Sequence, residues 1–138
     1  MTEPELINRV KFHEGYSGKP YRDTAGKLTI GYGRNLDDAG ITEAEAIFML
    51  TSDLRRAEKE CISAFKWFGC LNKIRREVII EMCFNLGLPK LKSFKKMLEA
   101  IKEGDYDTAA AEMLNSRWAK QVGRRAETLA NLMKRGAD

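Results

Sequence analysis

The chain has 138 residues, 43% of them hydrophobic and 32% charged, with a formal net charge of +4. That composition describes one globular domain with a core, and it excludes a disordered chain or two independently folded domains. Three cysteines without Cys-x-x-Cys spacing and a single histidine, His13, argue against a metal site, a disulfide framework and a histidine-based nucleophilic triad.

The first predicted element is a helix from residue 3, opened by a capping box of Thr2 and Glu5 with Pro4 in the first turn. Leu6, Ile7 and Val10 form its apolar stripe, and Glu14 follows four residues after Val10, on the face expected to pack into protein. Gly15 ends it. Burial would favour the protonated carboxyl that a general acid needs, although a buried structural ion pair fits the same pattern.

Lys19 to Arg22 and Lys27 to Gly33 read as two strands of a hairpin. Thr24-Ala25-Gly26 suits a three-residue loop with Gly26 in the left-handed position, a register that pairs Asp23 with Lys27 and Tyr21 with Thr29. Asp23 and Thr29 then share a face left nearly bare by Gly31 and Gly33, where a bulky ligand could approach the backbone. Glu14, Asp23 and Thr29 thus place two carboxylates and a hydroxyl in one small structure. Glycosidic hydrolysis needs one protonated carboxyl for the leaving oxygen and one ionised carboxylate to direct water or stabilise positive charge. An ordinary surface hairpin with Asp23 as turn former is the other reading.

Thr42 and Glu45 form a second capping box ahead of Ile47, Phe48, Leu50, Leu54, Ala57 and Cys61 at helical spacing, predicting the longest helix. Asn72 caps the next, with Ile74, Val78, Met82 and Leu86 inward and Gly87 as its stop. Helices over Ser93–Ile101, Asp105–Leu114 and Arg124–Arg135, with a short turn from Ser116 to Val122, complete the set. Cys61 and Cys83 fall on apolar faces as reduced thiols. Trp67 and Trp118 could be core or a sugar-stacking surface.

Residues 1–69 hold ten Lys/Arg against eleven Asp/Glu, whereas residues 70–138 hold fourteen against nine. The basic second half, with its cluster Lys90, Lys92, Lys95 and Lys96, is either a solvated face or a docking surface for an anionic polymer. Nucleic acid is not the expected partner, because no helix-turn-helix or other reading motif is recognisable. The N-terminus lacks an apolar run, so neither a signal peptide nor stable membrane insertion is expected.

Phe12-His13-Glu14-Gly15, Tyr21-Arg22-Asp23-Thr24-Ala25-Gly26 and Thr29-Ile30-Gly31-Tyr32-Gly33, continued by Met82-Cys83-Phe84-Asn85-Leu86-Gly87, Ser93-Phe94 and Ser116-Arg117-Trp118, resemble the phage-type lysozymes of glycoside hydrolase family 24. The resemblance implies an α+β, mostly helical fold in a single lysozyme domain. An N-terminal helix and β-hairpin lobe would span about residues 1–41, a connecting helix about 42–64, and a helical lobe about 70–138. It implies a muramidase cleaving the β-1,4 bond between N-acetylmuramic acid and N-acetylglucosamine, inverting in outcome. Glu14 would be the general acid, Asp23 the carboxylate that activates water, and Thr29 the hydroxyl that helps hold it. Asn35, Phe84 and Arg125 would contact substrate, Arg125 lying beside Glu14.

No metal or cofactor is implied. The expected setting is a monomer made in a bacterial cytoplasm that reaches the wall once a holin-like partner opens the membrane, serving host-cell lysis. A catalytically idle relative that binds peptidoglycan or another anionic polymer is the alternative. Two departures from the family pattern stand out. Arg34 replaces a histidine common after the Gly-x-Gly, which puts a lobe-stabilising ion pair in doubt. The short linker from Asn35 to Ile41 implies a smaller cleft floor with fewer sugar subsites.

Overall fold

The computed structural model describes residues 3–138. The expected α+β, mostly helical class is found: α1 (Pro4–Glu14), β1 (Ser17–Arg22), β2 (Leu28–Gly31), β3 (Arg34–Asn35), α2 (Glu43–Ala64), α3 (Lys73–Leu86), α4 (Leu88–Lys92), α5 (Lys95–Lys102), α6 (Tyr106–Leu114), α7 (Arg117–Val122) and α8 (Arg124–Arg135), with a 3₁₀ turn at Phe68–Cys70. Residues 1–48 and 49–138 form two compact units, the boundary falling within α2.

In the first unit, β1, β2 and β3 make an antiparallel sheet in that order. The third strand was not anticipated from sequence; it arises because Gly33 has a positive φ of 81° and folds the chain back, pairing Ile30 with Arg34 and Thr29 with Asn35. The predicted Tyr21–Thr29 pair is present. Of the two predicted capping boxes, Thr2 lies outside the described residues. The other forms in full: the Glu45 N–H donates to Thr42 Oγ1 (3.1 Å) and the Thr42 N–H to Glu45 Oε1 (2.9 Å).

The second unit owes its helix ends to local chemistry. Asn72, Asp105 and Ser116 each accept a backbone N–H at a helix start, from Arg75, Thr108 and Ala119. Such caps satisfy donors that the first turn otherwise leaves open. Gly87, with φ 86°, ends α3 as expected, and Pro89 sits in the first turn of α4, a short helix not anticipated from sequence, where a missing N–H costs nothing. Ser93 therefore closes α4, its hydroxyl donating to the Lys90 carbonyl at 2.6 Å, and α5 begins two residues later than predicted.

α8 packs against α6, α3 and α7, and α5 against α6. Ile79, Met82, Leu91, Met97, Met113 and Met133 are fully buried between them, together with Cys61. Trp118 belongs to this core. Its indole N–H donates to Asn85 Oδ1 at 2.8 Å and its ring meets Phe94 edge-on at 6.2 Å, so the polar atom of a buried aromatic is satisfied. Trp67 is half-buried and stacks on Phe65 at 4.8 Å.

Candidate active site

The β1–β2 turn is built by Asp23 itself. Its Oδ1 accepts the Ala25 N–H (2.9 Å) and the Lys27 N–H (2.8 Å), while its carbonyl accepts the Gly26 N–H at 2.9 Å. Gly26 takes the predicted positive φ, 79°. Asp23 is thus a turn former, as the bland reading of the hairpin proposed, but the turn consumes only one carboxylate oxygen. Oδ2 accepts no hydrogen bond among the described residues and is available for chemistry.

Thr29 is the one buried polar side chain among the described residues, 3% exposed. Its hydroxyl donates to the Lys27 carbonyl at 2.9 Å, and that carbonyl also receives the Asp23 N–H at 2.9 Å. Both side chains are therefore anchored on the main chain of Lys27, the residue that the predicted register pairs with Asp23. The expected open face is corrected at this position: Thr29 is enclosed, whereas Leu28 and Ile30 on the other face are only half-buried and Tyr32 is 44% exposed. The hydroxyl makes this affordable, because a satisfied polar group can be buried at small net cost.

Glu14 closes α1. Its expected place on a buried apolar face is not observed: no residue of α1 is buried, Leu6, Ile7 and Val10 are 43, 46 and 41% exposed, and Glu14 is itself exposed. The carboxylate instead rests against the bare backbone of Gly33. A Cβ placed there would lie 2.9 Å from Glu14 Cδ and collide with Oε2. The acid is brought to the hairpin by a close approach that only glycine allows.

Arg34 makes an ion pair of its own within the first unit. Arg34 grips Glu45 with both terminal nitrogens, Nη1 at 2.8 Å from Oε1 and Nη2 on Oε2, and Nη1 also donates to the Gly40 carbonyl at 3.0 Å. The guanidinium fork meets the carboxylate with two parallel donors. Arg34 and the Thr42 N–H together hold the Glu45 carboxyl down at about 2.

Asn35 faces Thr29 across β2–β3, but its amide is spent on the following loop, donating to Asp38 Oδ2 (2.9 Å) and accepting the Asp38 N–H (3.0 Å). Phe84 and Arg125 belong to the second unit and line one open groove of about 850 Å³ with Glu81, Leu129 and Leu132. Arg125 Nε donates to Glu81 Oε2 at 2.9 Å, so the partner the structure gives this guanidinium is a glutamate on α3. Glu81 carries no signal in the sequence that would have marked it. Phe84 is 42% exposed. Among the described residues no cluster of His, Cys, Asp or Glu could hold a metal ion, and no helix is long and apolar enough to cross a membrane.

Comparison with known proteins gives the class to which this arrangement belongs. The phage lysozyme family matches residues 11–138, and the chain belongs to it. It is similar to a probable T4-type lysozyme of Dictyostelium discoideum, with 28% identity over 95% of this chain and 94% of the relative. An endolysin of Acyrthosiphon pisum secondary endosymbiont phage 1 is 30% identical over 98% of this chain and 91% of the relative. The peptidoglycan hydrolase gp36 of Pseudomonas phage phiKMV is 27% identical over 87% of this chain, but over only 14% of its own length. The function of this chain is accordingly of the lysozyme type, that of a peptidoglycan-directed glycosidase.

Proposed function

We propose that the chain is a muramidase that hydrolyses the β-1,4 bond between N-acetylmuramic acid and N-acetylglucosamine, with Glu14 as general acid and Asp23 as the carboxylate that activates water. The observation that carries this reading is the division of labour within Asp23: two N–H donors fix Oδ1, and Oδ2 accepts from no donor among the described residues. A carboxylate held by one oxygen can accept the proton of a water with the other without losing its orientation. Glu14 would protonate the glycosidic oxygen as the bond breaks, and water would attack the anomeric carbon from the opposite face, inverting its configuration. Glycan filling the site would displace water from the exposed Glu14, and the dry surroundings would keep its proton in place until transfer. Thr29 would hold the attacking water through the lone pairs its hydroxyl does not use in donating to Lys27. Asn35, Phe84 and Arg125 are proposed to contact the saccharide.

The names of the relatives support an endolysin role, with synthesis in the bacterial cytoplasm, access to the wall after a holin-like protein opens the membrane, and lysis of the host as the result. The test is turbidity clearing of chloroform-permeabilised Gram-negative cells by the native chain and by Glu14→Gln, both verified as folded, with reducing-end analysis of the products. Clearing by the native chain alone, with N-acetylmuramic acid at the new reducing ends in the α configuration, is expected. Binding to the wall without clearing would instead mark a catalytically idle peptidoglycan-binding relative, and clearing by Glu14→Gln would remove Glu14 from the acid role.

A further inference from the structure

The first unit contains five glycines at positive φ: Gly15, Gly26, Gly31, Gly33 and Gly40. At four of them a Cβ would meet nothing within 4 Å, so the backbone angle alone explains the residue. Gly33 differs. There the added atom would overlap Glu14 Oε2 and lie 2.9 Å from Cδ and 3.3 Å from Cγ. The Glu14 side chain has no hydrogen bond or ion pair among the described residues, and it is exposed. Contact with the Gly33 backbone is therefore what restricts where this carboxyl goes.

That backbone is itself held. Arg34, the next residue, pairs with Ile30 in the sheet, grips Glu45 with both terminal nitrogens and donates to the Gly40 carbonyl. The surface under Glu14 is thus a short stretch of fixed peptide. The geometry points to Gly33 as a positioning residue for Glu14, its missing side chain forming the seat that sets the height of the carboxyl over the hairpin. This inference rests on Glu14 being the proton donor of the proposed reaction. A methyl group at 33 would lift the carboxyl by about the overlap it creates, on the order of 1 Å. Misplacement of a catalytic group by that amount costs about 100-fold in rate.

Gly33→Ala is compared with Gly40→Ala, which also puts an alanine at positive φ (61° against 81°) but without the collision. Both should lower Tm, Gly40→Ala by about 4 °C from backbone strain alone. Gly33→Ala should lower it further, from its larger φ and from the contact with Glu14; the part due to the contact should be small, because the group that yields is the free end of an exposed side chain, and that part should vanish in a Glu14→Ala background. In turnover of a soluble peptidoglycan oligosaccharide, Gly33→Ala should lose about 100-fold in kcat, with a smaller change in KM and a displaced pH–rate profile. Shortening the acid should relieve the clash, so Glu14→Asp should cost far less activity in the Gly33→Ala background than in the native one. Additive melting shifts, or an active native chain whose Gly33→Ala and Gly40→Ala variants have equal kcat and the same pH profile, would overturn the positioning role. An inactive native chain with the melting excess intact would overturn the functional reading while leaving the contact standing.

Discussion

Replacing Thr29 by valine separates what this side chain does for the fold from what it does for chemistry. Valine keeps the shape of threonine and exchanges a hydroxyl for a methyl. Thr29 is buried and its hydroxyl donates to the Lys27 carbonyl at 2.9 Å, so one hydrogen bond is lost. The acceptor is not orphaned, because the Asp23 N–H still reaches the same carbonyl at 2.9 Å. The cost should therefore be that of a replaceable hydrogen bond, about 1 kcal/mol, and not the larger penalty of a buried unsatisfied group. For a chain of this size that lowers Tm by about 3–5 °C. Thr29→Ala loses the packed methyl as well and should cost about 2 kcal/mol.

Activity should rank differently. Thr29→Ser retains a hydroxyl that can hold water and should stay within about tenfold of native, whereas Thr29→Val should lose about 100-fold or more while remaining folded. The assays are thermal melting followed by circular dichroism and clearing of permeabilised cells at matched concentrations of folded protein. Native clearing by folded Thr29→Val would refute the water-holding role. A loss of more than about 3 kcal/mol would refute the inference that Asp23 can satisfy the Lys27 carbonyl alone.

Arg75 should prove the strongest polar fastener of the helical unit. It donates to the Met133 and Lys134 carbonyls at 2.6 and 2.9 Å and lies 3.6 Å from the Tyr106 ring centre, so Arg75→Ala should cost about 2 kcal/mol by urea denaturation, with Arg75→Lys recovering less than half; a loss under about 0.5 kcal/mol would refute this. Glu45 titrates at about 2 in the folded chain, below the ordinary glutamate value of 4.5, so its contribution is complete above pH 4.5 and is lost as pH falls through about 2. The Tm difference between native and Glu45→Gln should accordingly shrink across that window and with added salt, and a difference independent of pH would contradict the Arg34 pairing. Of the three thiols, Cys70 is exposed, whereas Cys61 and Cys83 are buried and burial pushes their titration upward. One thiol should react promptly with Ellman's reagent in the native protein and three in denaturant; three prompt reactions would show that the helical core opens readily.

The helix ends were legible because capping is a near-neighbour event. A threonine and a glutamate three residues apart, or an asparagine before a helical run, find their backbone partners within the same turn, whatever lies elsewhere in the chain. The hairpin register was legible for the same reason, since Gly26 and the Asp23 side chain fix it within five residues. Where local signals competed, the outcome differed: Ser93 can begin one helix or end another, and here it ends α4. Glu14, Asp23 and Thr29 stood out as candidates, but the contact of Glu14 with Gly33 carried no local signal.

The amino-acid sequence by itself determined the hairpin, most of the helices and their caps, the turn that Asp23 builds and the family to which the chain belongs, but not β3 or α4. Tertiary structure decided that Glu14 rests on Gly33, that Arg34 grips Glu45, that Arg125 pairs with Glu81, and that the Trp118 indole finds Asn85. The physical reason is reach. Backbone dihedral preferences and caps act over four or five residues and repeat their signature in every sequence, whereas a carboxylate and a guanidinium 44 positions apart are paired by the packing of whole helices, which is set by all the buried side chains at once.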